Sequence, residues 1–289
     1  MTQEIKASEL TLANDGSLYH IRLFPEELAD NIILVGDPNR VASISKFFSK
    51  IEVKKANREI VSHTGWFDNK RVTAISTGMG VDNIDIVLTE LDACKNIDLK
   101  SREIKEKKTS LNLLRLGTTG AMQEDMEINS CICSKYVLGI DGMMWFYALS
   151  HEVMEEELQH NFIQFMDWNA LLPVPYGVEA SEELLEKIAF DLPKGITVTA
   201  PGFYGPQGRE LRMPLRDRDI NTKLPNFSYN NYKITNYEME TSALYCLGRS
   251  LGHKTLTICN VIANRYKGTF STDYAKSMNN LIETVLQRL

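Results

Sequence analysis

Short, mostly apolar runs alternate along this chain with longer stretches of helical spacing, and glycines mark many of the junctions. Asn31-Ile-Ile-Leu-Val-Gly36 and Leu111 to Leu116 are the clearest runs. Such runs read as strands of a sheet covered on both faces. Further strands are expected at Ile51–Lys55, Glu59–Trp66, Arg71–Thr77, Glu127–Leu138, Ile196–Ala200, Tyr232–Tyr237 and Thr255–Ala263, with Asp68-Asn69-Lys70 turning between two of them. Helical spacing covers Val41 to Phe48, Val81 to Lys95, Ser181 to about Phe190, a stretch ending near Leu251, and the end of the chain from Asp273. Asp37 before Pro38 suits an N-cap followed by a proline at the first helical position. The alternation predicts one α/β domain, a three-layer α/β/α sandwich around a central mixed sheet, over residues 19–289. Residues 1–18 read as a loose arm. The densely charged 98–110 reads as a solvated insertion, and the polar 210–231 as a candidate lid.

Composition narrows the partners. The 289 residues carry a formal net charge of −6, which disfavours nucleic acid and anionic membrane. An anion site in such a protein must be a local cluster of arginines and backbone donors. The five cysteines lack paired spacing and are expected to pack in a reducing compartment. No apolar run is long enough to span a membrane and the first residues are polar, so a soluble, cytoplasmic protein is expected. His151 to His160 lacks the His-Glu-x-x-His spacing of a zinc site and reads as a solvated helix; no metal is expected.

Candidate chemistry gathers at the strand ends. Gly117-Thr-Thr-Gly120 offers hydroxyls and backbone N–H groups to an anion. Arg115, just before it, lies in an apolar strand, and a buried arginine requires a counter-charge. A bound phosphate or carboxylate and a core Asp or Glu serve equally well. Gly36-Asp-Pro-Asn-Arg40 forms a second anion-receptive corner, where Arg40 sits at the unfavourable end of the helix dipole. Neither Gly78-x-Gly80 nor Gly117-Thr-Thr-Gly120 completes a dinucleotide fingerprint or a P-loop. The loop after residue 200 holds Phe203 and Tyr204 for stacking, and Gln207 and Arg209 for reading the edge of a flat heterocycle. Glu238 and Glu240 flank Met239 where a strand turns into a helix.

Six stretches together resemble the nucleoside phosphorylase family, closest to its uridine phosphorylase branch. They are Gly36–Arg40, Asn57–Glu59, Ser76–Gly80, Arg115–Ala121, Phe203–Arg209 and Tyr237–Thr241, in the family's order. The resemblance implies attack of phosphate on a pyrimidine nucleoside, giving a free base and ribose 1-phosphate. It implies a phosphate site of Gly36, Arg40, Arg115 and Thr118, with Arg58 supplied by a neighbouring subunit. It implies ribose contacts from Met239 and Glu240, and from His20 of an adjacent protomer. The base would meet Phe203, Gln207 and Arg209. A homo-oligomer with shared sites follows, without nucleic acid or membrane partners. Phosphate is then a co-substrate and no cofactor is required, although relatives can hold a monovalent cation at an interface near Glu59; here Asn83 replaces their serine. Ile262-Ala-Asn-Arg265 lacks the aspartate of purine-specific relatives. Retained phosphate arginines argue against a nucleosidase. A purine nucleoside phosphorylase, a nucleosidase and a non-catalytic nucleoside-binding protein remain the alternatives. Two departures stand out: the insertion at 98–110, which could leave a dimer in place of a ring of dimers, and Gly205-Pro-Gln-Gly-Arg209 where relatives usually have Pro-Gly-Gln-Glu-Arg.

Overall fold

The computed structural model describes residues 4–148 and 152–289, so His151 lies outside the described residues. The first half runs β1 (Asn31–Val35), α1 (Pro38–Ser45), β2 (Lys50–Asn57), β3 (Ile60–Phe67), β4 (Lys70–Ser76), α2 (Val81–Asn96), β5 (Ile97–Asp98), β6 (Glu103–Ile104), β7 (Asn112–Ala121) and β8 (Cys131–Gly139). The second runs α3 (Glu156–Met166), β9 (Tyr176–Glu179), α4 (Glu182–Ile188), β10 (Lys194–Thr199), α5 (Ile220–Lys223), β11 (Ser228–Tyr229), β12 (Tyr232–Glu238), α6 (Thr241–Ser250), β13 (Lys254–Asn264), β14 (Thr269–Phe270) and α7 (Ala275–Arg288).

The central sheet is mixed. Its order is β11-β12-β10-β8-β13-β7-β1-β4-β3-β2, and the end of β12 also pairs antiparallel with the end of β7. That extra pairing curls half of the sheet into a closed ring of β7, β13, β8, β10 and β12. The carboxyl ends of β7, β12 and β13 thereby meet at one place. β1 lies parallel to β7 and adds its own carboxyl end beside them. The apolar runs behave as their pattern dictates: Ile32, Ile33, Leu34 and Val35 are fully buried. Each such side chain contributes about 1.5–3 kcal/mol of burial free energy.

Local signals act as expected at several joints. Asp37 Oδ1 accepts from Asn39 N at 2.9 Å, capping α1 with Pro38 at its first position. Asp68 and Asn69 have φ of 43° and 62°, the left-handed pair that a tight β3–β4 hairpin requires. Ser181 stands at the N-cap of α4, but its side chain makes no capping bond.

Three expectations need correction. The arm is not loose: Leu10 and Leu18 are buried, and Ile5 N donates to Arg102 O at 2.9 Å. Its clamp is the charged 98–110 segment, which is exposed but begins with the β5–β6 hairpin and returns Arg102 Nη1 to Leu10 O at 2.5 Å. The second half of 210–231 is not a free lid. It contains α5 and β11, and Leu224, Phe227 and Tyr229 are buried. In α3, His160 is exposed while Leu158, Phe162 and Met166 are buried, so this helix has an apolar face. All five cysteines are free thiols, four of them buried. No described helix is long and apolar enough to cross a membrane.

Candidate active site

A cavity of about 1160 Å³ opens where the ends of β1, β7, β12 and β13 converge. Its lining includes Gly36, Arg40, Arg115, Thr118, Phe203, Gln207, Arg209, Met239 and Glu240. Residues as far apart in the chain as Gly36 and Glu240 are thus gathered at the strand ends. His20 and Arg58 do not line it.

At one end stand two arginines. Arg115 is only 4% exposed, and its Nη2 donates to Glu240 Oε2. Its Nε lies 3.7 Å from Glu238 Oε2, and neither Nε nor Nη1 makes a hydrogen bond. The internal counter-charge left open by the sequence is therefore present, yet one guanidinium edge is unspent. Burial opposes the charge of Arg115, but Glu240 and Glu238 outweigh it and raise its pKa. Arg40 comes close enough for repulsion by Arg115 to add to burial in lowering its pKa. One Arg40 nitrogen donates to Leu116 O at 3.2 Å. Two neighbouring guanidiniums repel, and an anion seated between them would relieve that repulsion. The hydroxyl of the half-buried Thr118 makes no hydrogen bond to the described protein, whereas that of Thr119 is occupied by Tyr237 O and Asn236. Gly36 faces Gly78, whose N donates to Gly36 O at 3.1 Å; a Cβ on Gly36 would meet Gly78 O at 3.3 Å.

Glu240 occupies the middle. Its Oε1 accepts from Gly80 N, the N-cap position of α2, at 2.8 Å, while Oε2 holds Arg115. Gly80 has φ of 97°, a conformation that glycine alone adopts cheaply. Glu238 does the capping of α6: its Oε2 accepts from Glu240 N and Thr241 N, each at 2.8 Å. Burial, followed by repulsion from Glu240, raises the Glu238 pKa against the opposing pull of Arg115.

The far end is built on Gln207. Its Oε1 accepts from Arg209 Nη1 and from Arg265 Nη2, each at 2.8 Å. Arg209 lies 3.6 Å over the Phe203 ring, and Arg265 lies 4.9 Å over Tyr237. Burial first, and Arg209 second, lower the Arg265 pKa to about 10. Among the described residues neither Arg209 nor Arg265 is paired with a carboxylate, so this end carries positive charge. Arg265, Tyr237 and Glu238 were not assigned roles from sequence. Arg265 was within reach: it directly follows β13, and side chains at the carboxyl ends of parallel strands are where ligands bind.

His20 and Arg58 lie together elsewhere. His20 Nδ1 meets Glu90 Oε1 at 2.6 Å, and His20 O accepts from Asn57 Nδ2 at 2.9 Å. Arg58 follows Asn57 in the exposed β2–β3 turn, with φ of 54°. Glu59 and Asn83 reach the cavity lining, but among the described residues no group of three or more His, Cys, Asp or Glu could hold a metal ion.

This convergence of strand ends is that of a known class: the chain belongs to the phosphorylase superfamily, whose family model matches residues 30–288. Its architecture is the nucleoside phosphorylase fold. Over 276 residues it is 26% identical to the uridine phosphorylase of Thermococcus kodakarensis, covering 93% of this chain and 86% of that protein. A DeoD-type purine nucleoside phosphorylase of Bacillus cereus is 29% identical over 270 residues, covering 92% of this chain and 96% of that protein. A solved nucleoside phosphorylase of Trypanosoma brucei, described as showing uridine phosphorylase activity, matches with a TM-score of 0.86 at 28% identity. It covers 97% of this chain and 99% of that one.

Proposed function

We propose that the protein cleaves uridine with inorganic phosphate, releasing uracil and ribose 1-phosphate. The observation that carries this reading is the placement of Arg40, Arg115 and Thr118 at one end of a cavity whose other end holds Gln207 between Arg209 and Arg265. Glu240 lies between the ends. An anion site, a carboxylate suited to sugar hydroxyls and a planar polar clamp match phosphate, ribose and base in order.

In the reaction a phosphate oxygen bonds to C1′ of the sugar as the C1′–N1 bond breaks. The electron pair leaves with the base, and solvent supplies its proton. The transition state is cationic at the sugar and anionic at the base. Phosphate stabilises the first; Arg209, Arg265 and the Gln207 amide stabilise the second. Met239 and Glu240 orient the sugar. Phe203, half exposed at the mouth, offers its ring to the base. No acid is required, since the base departs as a stabilised anion.

A pyrimidine is favoured because the end of β13 reads Asn264-Arg265, with Arg265 spent on Gln207 and no carboxylate to protonate a purine. The purine nucleoside phosphorylase relatives keep the second reading in play.

His20 and Arg58, adjacent on one edge and outside their own chain's cavity, serve the site of a second copy in this reading. Arg58 then becomes the third guanidinium on the phosphate. Any cation near Glu59 needs oxygen donors from that second copy as well.

A coupled assay of uridine, thymidine and inosine, with and without phosphate, tests the proposal. Phosphate-dependent turnover of uridine ahead of inosine is expected. Faster turnover of inosine establishes the purine reading; equal release of uracil without phosphate makes the protein a hydrolase.

A further inference from the structure

Gln207 carries the base end, yet it belongs to a loop of glycine and proline with little stiffness of its own. It is nonetheless only 3% exposed. The grip on it comes from outside the loop. Arg265 donates to Gln207 O at 2.5 Å and to its Oε1 at 2.8 Å. A second grip comes from Asn221, 14 residues downstream in α5: its Nδ2 donates to Gln207 O at 3.2 Å and to Gly208 O at 3.1 Å.

Gly208 and Asn221 are matched. Gly208 has φ of 68°, and a Cβ there would lie 2.2 Å from Asn221 Nδ2. The asparagine amide thus fills the space that any other residue at 208 would need. α5 is itself tied down. Leu224 and Phe227 are buried just beyond it, and Glu210 pairs with Arg218 through bonds of 2.8 and 2.9 Å, closing the 210–218 strap on itself. The strap is therefore a backing plate for the base loop. Gln207 Nε2 has no hydrogen bond to the described protein and is left to donate to the base.

We infer that Asn221 is a positioning residue for base recognition, stapling the carbonyls of Gln207 and Gly208 so that the Gln207 amide presents N–H groups to a carbonyl oxygen of the base. This rests on the phosphorylase reading and deepens it.

The test is steady-state kinetics of N221A, G208A and the double variant, with uridine and phosphate varied separately. A displaced Gln207 raises KM for uridine about tenfold or more in each single variant. KM for phosphate, governed by Arg40 and Arg115 at the opposite end, stays within about twofold. Both substitutions break one contact, so the double variant loses no more than about the worse single one. N221D, whose ionised side chain only accepts, behaves like N221A. Thermal melting of each variant establishes that it is folded. Unchanged KM for uridine in N221A overturns the role of Asn221. So does a parallel rise in both KM values, or a double variant whose losses multiply. The unsubstituted protein separates the two claims: absent uridine turnover there removes the functional reading, whereas normal turnover with an unaffected N221A removes only the staple.

Discussion

Arg115 and Glu240, 125 residues apart in sequence, form a buried ion pair in the cavity lining. Each partner is shared. Glu240 also accepts from Gly80 N, and Arg115 keeps Nη1 unbonded. Arg115 thus stabilises the fold through its ion pairs with the two acids; in the proposed reading its unbonded Nη1 serves the phosphate. Substituting R115A should abolish phosphate-dependent turnover and also cost about 3–5 kcal/mol, because two buried carboxylates lose their cation. Adding E240Q should restore part of that stability and none of the activity. Turnover and chemical denaturation of both variants check this; wild-type rates in R115A reject the assignment.

The two ends of the cavity should separate kinetically. R40A is expected to raise KM for phosphate and leave KM for uridine nearly unchanged. R265A, which removes one of the two donors from the carbonyl and from the Oε1 of Gln207, should do the reverse. Losses on the order of 10²-fold or more in kcat/KM fit the removal of one charged donor in each case. Initial rates over a grid of both substrates would expose a shared rather than a divided effect.

Sites shared between two copies would make a complementation test available. R58A and R115A should each be inactive alone. If Arg58 completes the partner's site, refolding an equal mixture should recover about a quarter of the wild-type sites, because a mixed dimer has one site with both defects and one with neither. Sites contained within one chain give no recovery.

Glu238 makes stability depend on pH in an unusual direction. Its folded pKa is raised above 4.5 by burial and by Glu240. The folded state therefore holds the proton more tightly than the unfolded chain does. Its contribution is most favourable below 4.5, and stability falls as pH rises from there through the raised value. E238Q carries no such proton and should lose that component of the slope. Melting temperatures of both proteins between about pH 4 and pH 8 measure it.

How far the sequence reaches is clear at Arg115. An arginine in an apolar run signals a required counter-charge, but the chain order does not say which. The structure answers with acids, Glu240 and Glu238, and leaves Nη1 without a hydrogen bond. Strands and most helix joints were legible because hydrophobic period and capping are local properties, as at Asp37 and at Asp68-Asn69. The closure of β12 onto β7, which brings Tyr237 beside Gly120, is a long-range event with no local signature. Asn221 was missed for a similar reason, since it matters through its long-range contact with the carbonyls of Gln207 and Gly208. The arm was misread because its anchor is the charged 98–110 segment, whose composition suggested solvent and nothing else.

The central claim is that one cavity seats inorganic phosphate against a nucleoside and joins the two. Phosphorus NMR of the protein with uridine and phosphate follows that union directly. The account predicts that the inorganic phosphate resonance declines while one for a sugar 1-phosphate grows, in step with uracil. Uracil appearing while the phosphate resonance stays unchanged would contradict it.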